Sequence, residues 1–264
     1  MKYYDNLLKK FKEISRKKWI KSVNHNHGGV GVTFEQELNK KSDALFFPDY
    51  EGIELKCTTR YSNYPLYLFT LAFDGPTFPE IERLVDLYGY PDVDFLDKKV
   101  LFTKLSVRQS YVVNMKYKFK LELNKEKEIL YLKVLDIDNN LIEMKSFVYL
   151  KSIYDHLMIK LNKLAIIKAY KKKINGEDYF RYYRISIYEL YSFDKFIDLL
   201  EAGYIIVDLV ARLNKSGVDK GRYRNKNLVF SIRKTDVDKL FNMVYEYDAD
   251  EWEKELSSSF HIMP

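Results

Sequence analysis

Apolar positions along the chain follow two different periods. Between Tyr3 and Ile20 they recur at helical spacing among lysines, which predicts an amphipathic helix. From Gly52 to Cys57 apolar and polar side chains alternate instead, which predicts a half-buried strand that continues after a break from Leu66 to Phe73. Helical spacing returns in three later segments, which are 80–87, 147–161 and a segment that begins near Phe193 and stops at Gly203.

Alternating segments dominate the second half of the chain. One predicted hairpin joins 116–123 to 129–137 through a charged turn, and another joins 164–172 to 179–186 across Asn175-Gly176. Two further strands, 204–213 and 228–232, enclose a basic loop from Asn214 to Asn227. The mixture of helices and strands predicts an α/β, or α+β, fold in which a mixed central β-sheet is flanked by helices.

Composition limits the class of protein. The 264 residues suffice for one large domain or for two lobes that share a cleft. Because no apolar run approaches 18 residues and the N-terminal helix lacks a signal-peptide core, we expect a soluble cytoplasmic protein without a membrane partner. Cys57 is the only cysteine, which excludes a disulfide framework and a cysteine zinc site.

Candidate chemistry lies between Asp49 and Lys56. Glu54 and Lys56 are two residues apart on a predicted strand, so their side chains share one face. Pro48 and Gly52 bracket Asp49 in a turn, which lets its carboxylate approach Glu54. Two carboxylates can hold Mg²⁺, or Mn²⁺ in its place, and an ammonium beside them can stabilise a phosphate or orient and help deprotonate a water. The set suits metal-dependent hydrolysis of a phosphodiester.

The spacing alone is weak evidence, because the chain has 20 Asp, 18 Glu and 34 Lys. A solvated strand face with one ion pair is the alternative. The segment upstream strengthens the case. Thr33 and Gln36 match a capping box, which predicts a helix that begins at Thr33 and places Glu35 in its first turn, where it adds another carboxylate. We expect His25 and His27 to lie in a loop or to face a nucleic acid rather than to bind a metal.

Two stretches, Gly29–Leu38 (GVGVTFEQEL) and Pro48–Lys56 (PDYEGIELK), resemble the MvaI/BcnI restriction endonucleases, a family related to the MutH mismatch-repair nickase. The resemblance implies a PD-(D/E)xK nuclease core and a type II restriction endonuclease that cleaves double-stranded DNA. It also implies four catalytic residues, which are Asp49, Glu54, Lys56 and Glu35. The first two would hold the metal. Related enzymes act as monomers, so we expect a monomer, with a cognate DNA methyltransferase as its genetic partner.

Looser similarity continues after Tyr117 and into Val207–Ile232, where the family recognises its target. Arginine can read guanine, asparagine can read adenine and aspartate can accept from cytosine. The candidate DNA-binding residues are Asp208, Arg212, Lys220, Arg222, Arg224 and Asn225. For each of them, contact with phosphate or solvent is the alternative. Family members can carry histidines where this chain has Arg224 and Lys226, and an arginine in place of Val210, so the family's target sequence cannot be carried over.

The net charge of +6 is unevenly distributed. Residues 163–234 contain 16 Lys and Arg against 8 Asp and Glu, which leaves 28 against 30 for the rest of the chain. Such a basic region favours phosphates through counterion release. We therefore expect a catalytic lobe in residues 1–115, a second part with hairpins, helices and the basic loop in 116–247, and an acidic tail in 248–264.

Other functions remain as alternatives or are excluded. A MutH-like site-specific nickase, a DNA-binding protein that does not cleave, and an RNA- or nucleotide-processing enzyme could share the same scaffold. A dinucleotide site is not expected, because Phe34 stands where the glycine fingerprint needs its third glycine. A phosphate-binding loop is excluded, because no glycine-rich segment ends in Gly-Lys-Ser or Gly-Lys-Thr.

Overall fold

The computed structural model describes residues 4–24, 28–40 and 47–252. The chain divides into two compact units, each built from separate segments. The first unit combines residues 1–64, 159–191 and 241–264, and the second combines 65–158 and 192–240. These boundaries differ from the three contiguous parts expected from the sequence, because strands from distant segments pair within one sheet.

In chain order the helices are α1 (Asp5–Arg16), α2 (Gly29–Glu37), α3 (Glu80–Tyr88), α4 (Leu150–Lys160), α5 (Phe193–Glu201) and α6 (Val237–Leu240). The strands are β1 (Ile20–Lys21), β2 (Glu54–Thr59), β3 (Leu66–Leu71), β4 (Tyr90–Pro91), β5 (Lys99–Leu105), β6 (Tyr111–Val113), β7 (Tyr117–Asn124), β8 (Ile129–Asp136), β9 (Leu141–Glu143), β10 (Phe147–Tyr149), β11 (Lys163–Ile174), β12 (Glu177–Leu190), β13 (Ile205–Leu213), β14 (Tyr223–Ile232) and β15 (Phe241–Asp248). A 3-10 turn, Lys234–Asp236, precedes α6. None of these helices is long and apolar enough to cross a membrane.

The first unit contains a five-stranded mixed sheet. Its order is β1-β12-β11-β2, and β15 also pairs with β12. β2 runs parallel to β11, whereas the other pairs are antiparallel. The side chains of α1 and α2 pack with one face of this sheet in a core that includes Phe11, Phe34, Leu55, Ile167 and Tyr182. The predicted combination of a mixed sheet with flanking helices is confirmed.

The second unit contains two further sheets. One has the order β10-β8-β7-β6, with β9 beside β8, and the other has the order β3-β14-β13-β5-β4. The rings of Phe69, Phe196 and Phe230 pack together between the second sheet and α5. The prediction that the strand near Glu54 continues through 66–73 is wrong. β2 pairs with β11 and β3 pairs with β14, because an apolar run does not specify its partner strand.

Both predicted hairpins are confirmed, as β7 with β8 and β11 with β12. Asn175 and Gly176 have φ values of 50° and 82°, the backbone that a two-residue hairpin turn requires. The helix predicted over 147–161 begins only at Leu150, because 147–149 pair with β8. The N-terminal helix is also shorter than predicted and ends at Arg16.

Candidate active site

A tight turn places Asp49 beside the start of β2. Tyr50 and Ile53 exchange two backbone hydrogen bonds, of 3.0 and 2.8 Å, around Glu51 and Gly52. Both central residues have positive φ, 47° and 79°, which favours glycine at the second position. The turn reverses the chain, so the Asp49 Oδ2 atom accepts a hydrogen bond from the Leu55 backbone N–H at 3.0 Å.

Glu54 is buried, with only 2% of its surface exposed. Its Oε1 atom accepts a hydrogen bond from Lys56 Nζ at 2.6 Å and lies 3.8 Å from Lys160 Nζ. Its Oε2 atom is buried and accepts no hydrogen bond from any residue in the part of the chain that the structure describes. Burial raises the pKa of Glu54, and the charge of Asp49 adds to the rise, whereas Lys56 and Lys160 oppose it.

These contacts show how the sheet creates the site. Glu54 lies opposite Leu164 in the parallel pairing of β2 with β11, and the preceding residue, Ile53, is fully buried. Glu54 is therefore carried into a region with little water, where an unpaired carboxylate oxygen is costly. The half-buried Lys56 side chain shares its face, as the alternation predicted.

Glu35 does not lie in the first turn of its helix, so that prediction is wrong. α2 begins at Gly29, with Gly28 at the N-cap, and Glu35 lies near the helix end. Thr33 is fully buried and accepts a hydrogen bond from the Val23 backbone N–H at 3.2 Å instead of capping the helix. Gly29 packs closely against Ser22, where a Cβ atom would lie 2.7 Å from Ser22 Oγ.

The charges of Glu35 and Asp49 both act on the thiol of Cys57. Burial raises the pKa of the Cys57 thiol, and the negative charges of Glu35 and Asp49 add to the effect. Glu35 is half-buried and has an interaction partner of its own. One acid from each sequence stretch, Glu35 and Asp49, therefore acts on Cys57 of β2.

Within the described ranges no group of three or more His, Cys, Asp and Glu side chains could hold a metal ion. Asp49 and Glu54 nevertheless provide two hard oxygen ligands, and the Glu54 Oε2 atom lacks a donor. Magnesium commonly binds through one or two carboxylates and completes its shell with water and substrate phosphates. The residues present therefore fit a magnesium ion. His25, His27 and the end of the predicted acidic tail lie outside the described residues.

The predicted DNA-binding residues lie in the second unit. Asp208 and Arg212 are on β13, and the Arg212 guanidinium lies 3.6 Å from the centre of the Phe102 ring. The loop is shorter than predicted, because β14 begins at Tyr223. Arg224 and Asn225 are therefore strand residues, whereas Lys220 and Arg222 stay in the loop, exposed, with Arg222 paired to Asp219 at 3.2 Å.

Other cations of this region have acidic partners. Lys215 pairs with the buried Asp92 and with Asp94, and Lys226 pairs with Glu82. Lys215 lies in the loop 214–222 and Lys226 on β14, and the acidic partners neutralise this part of the basic charge counted in the sequence. Lys215, Arg222 and Lys226 therefore have acidic partners, and the net positive charge of this region is smaller than its lysines and arginines alone suggest.

Comparison with known proteins identifies the family of the chain. A family model described as the MvaI/BcnI restriction endonuclease family matches residues 8–241. The chain belongs to the MvaI/BcnI restriction endonuclease family. It is accordingly a type II restriction endonuclease, as the resemblance implied. No curated protein matches the chain.

Two solved structures resemble the endonuclease. A structure described as the restriction endonuclease MvaI-cognate DNA substrate complex has a TM-score of 0.84 and 25% sequence identity, and the match covers 92% of this chain and 98% of that chain. A structure of restriction endonuclease MvaI in the absence of DNA has a TM-score of 0.57 and 23% identity, with 92% and 97% covered. The predicted restriction-endonuclease fold is confirmed.

Sequence reasoning missed two lysines that lie beside the candidate site. Lys160, the last residue of α4, approaches Glu54, and Lys40 Nζ lies 3.2 Å from Asp49 Oδ1. No local pattern marks either residue. Knowledge that β11 pairs with β2 would have pointed to Lys160, because it lies just before the strand that β2 contacts.

Proposed function

We propose that the endonuclease hydrolyses phosphodiester bonds of double-stranded DNA at a specific sequence, with Asp49, Glu54 and Lys56 as its catalytic residues and Mg²⁺ as its cofactor. The observation that carries the assignment is the buried Glu54 Oε2 atom without a donor, beside two lysines. A buried acceptor without a donor calls for an explanation, and a bound cation supplies one here because a second carboxylate, Asp49, lies nearby. The similarity to a structure of MvaI with cognate DNA supports duplex DNA as the substrate.

Asp49 and Glu54 would hold the magnesium ion, and Mn²⁺ would substitute for it. An ion bound there would neutralise charge on the phosphate and lower the pKa of its water. The buried position of Glu54 limits competition from solvent, and the Leu55 backbone N–H holds the Asp49 carboxylate in place. The chain thus keeps two negative ligands in a fixed orientation before the substrate arrives.

Lys56 would act as the positioning cation of the reaction. Its ammonium donates to Glu54 Oε1 at 2.6 Å and is one-quarter exposed, so it can also donate to a water or a phosphate oxygen that enters the site. Lys160 places a second positive charge at the same carboxylate. Glu35 would assist as an auxiliary acid through its position beside β2.

The second unit would recognise DNA. Asp208, Arg212, Arg224 and Asn225 would contribute from the strands, and Lys220 and Arg222 from the loop. The exposed cations suit phosphate contacts, which supply affinity, whereas side chains on the sheet face suit base edges, which supply specificity. We also propose that the enzyme acts as a monomer in the cytoplasm, with a cognate DNA methyltransferase as its genetic partner.

Digestion of supercoiled plasmid DNA tests the proposal. With Mg²⁺ we expect discrete linear fragments, whose sequenced ends give the target. Open circles alone would indicate a nickase, and intact DNA with a gel shift would indicate a binder that does not cleave. Asp49→Asn and Lys56→Ala should abolish cleavage, whereas Lys173→Ala, on the exposed hairpin end, should not. Full activity in both site variants would reject the assignment.

A further inference from the structure

One face of the sheet β3-β14-β13-β5 carries polar side chains in its central strands. β13 and β14 are antiparallel, and Val210 lies opposite Asn227, while Asp208 lies opposite Val229. Residues directly opposite each other share a face, and so do residues two apart on one strand. Asp208 therefore shares a face with Val210 and with Asn227, and Asp208 and Asn227 are diagonal neighbours about 7 to 8 Å apart. The other face is apolar and buried, with Val207, Leu209, Leu228 and Phe230.

Asp208 and Asn227 share an unusual property. The Oδ1 atom of each is buried, and neither atom accepts a hydrogen bond from any residue of the described chain. A buried acceptor without a donor costs about 1 to 3 kcal/mol, and strands usually place apolar side chains at such positions. Two such acceptors on neighbouring strands and on one face indicate that the donors come from a ligand.

The side chains around Asp208 and Asn227 indicate the chemical class of the ligand. Phe102 lies opposite Val210 on β5, and the Arg212 guanidinium stacks on its ring. Lys104, opposite Asp208, is exposed, and Lys104 and Arg212 are the charges that act on Asp208. The face therefore combines two acceptors with cations at its border, which suits amino groups of a ligand that also carries negative charge. DNA bases with their phosphates have this chemistry.

We propose that Asn227 is a base-reading residue of the endonuclease and that its amide recognises an adenine of the target. The inference rests on the proposed function. A side-chain amide offers an acceptor and a donor side by side, and adenine presents N6–H₂ and N7 in the major groove as the matching pair. Asp208 offers only acceptors when it is ionised, which matches the N4 amino group of cytosine.

The test begins with the wild-type enzyme on a library of DNA sequences. If no sequence is cut, the proposed function fails before Asn227 is tested. If a target emerges, it should contain an adenine at the position that Asn227 reads. On that target Asn227→Ala should lower kcat/KM by about 10-fold to 100-fold. The variant should also cleave DNA with any of the four bases at that position at similar rates. Asn242→Ala, an exposed strand asparagine on β15 of the first unit, is the matched control and should keep the wild-type preference.

An atomic substitution in the DNA gives the decisive readout. Replacing that adenine by purine, which lacks the N6 amino group but keeps N7, should slow cleavage by the wild type, by less than Asn227→Ala does because one of the two hydrogen bonds remains, and should leave the rate of Asn227→Ala unchanged. Asn227→Asp keeps the shape of the side chain and serves as the second variant if Asn227→Ala does not fold. It should transfer the preference from adenine to cytosine. A target made only of G·C pairs, or an unchanged preference in the folded variants, would overturn the inference.

Discussion

Two glutamates of this protein are equally buried and have opposite surroundings. Glu54, at the start of β2, and Glu80, at the start of α3, are each 2% exposed. Glu80 accepts hydrogen bonds from Arg83 at 2.6 and 2.9 Å, from Ser146 at 2.6 Å and from Thr77. Glu54 has donors at one oxygen only. The first arrangement completes a fold, whereas the second leaves capacity for a ligand.

The pKa values follow the same contrast. Burial alone would raise the pKa of Glu80, but the hydrogen bonds from Arg83, Ser146 and Thr77 outweigh it, and the pKa is lowered. At Glu54 burial prevails, and the pKa is raised. Burial of an acid therefore does not identify a functional site. The unmade hydrogen bond of Glu54, beside Asp49 and two lysines, is what distinguishes it from Glu80.

The largest expected difference is in cleavage. Glu54→Gln should lower the rate by at least about a thousandfold, because it removes the charge of one of the two proposed metal ligands, and loss of the metal's charge stabilisation costs several kcal/mol in the transition state. Glu80→Gln should leave the rate of the folded enzyme within a few-fold of wild type. Single-turnover cleavage at matched concentrations of folded protein measures both. Equal losses in the two variants would remove the distinction between the two glutamates.

Stability should respond in the opposite order. Glu80→Gln should lower the free energy of unfolding by about 2 kcal/mol, because charge-assisted hydrogen bonds with Arg83 are lost in a buried network. Glu54→Gln should be neutral or stabilising when no divalent metal is present, because a buried charge with an unpaired oxygen is removed. Urea unfolding in EDTA provides the measurement. A large loss in Glu54→Gln would instead assign Glu54 a structural role.

Lys160 sharpens the description of the Glu54 site. Lys160→Ala should slow cleavage by about tenfold, because one of two positive charges near the Glu54 carboxylate is lost from a partly buried position. Lys151→Ala, on the same helix, is the control, because Lys151 is exposed and pairs with Asp155 rather than with Glu54. The control should cleave at the wild-type rate. A wild-type rate in Lys160→Ala would exclude Lys160 from the reaction.

The smallest effects are those of pH on stability without metal. The stabilisation by Glu80 is present above the ordinary glutamate pKa of about 4.3 and is lost as the pH falls through the lowered pKa of the folded state. Glu54 takes up its proton in the folded state first, so the advantage of Glu54→Gln should shrink as the pH falls through the raised pKa.

Urea midpoints at a series of pH values follow both trends. The advantage of Glu54→Gln should disappear at a higher pH than the deficit of Glu80→Gln. Parallel pH dependences in the two variants would contradict the opposite pKa shifts.

The sequence by itself determined the features that depend on near neighbours. Strand alternation put Glu54 and Lys56 on one face, Gly52 marked the turn that returns Asp49 to β2, and Asn175-Gly176 marked a hairpin. These features depend on backbone geometry over a few residues, which residue types and spacing encode. The family resemblance carried the catalytic chemistry because its motifs are local too.

Only the tertiary structure decided which atoms of the site are satisfied. The pairing of β2 with β11 joins segments more than 100 residues apart, buries Glu54 and brings Lys160 to it. Gly29, the first residue of α2, packs closely against Ser22, and strand register put Asn227 on the face of Asp208. These contacts arise between distant segments, whose pairing is selected by the packing of the whole unit, and no local pattern contains that information.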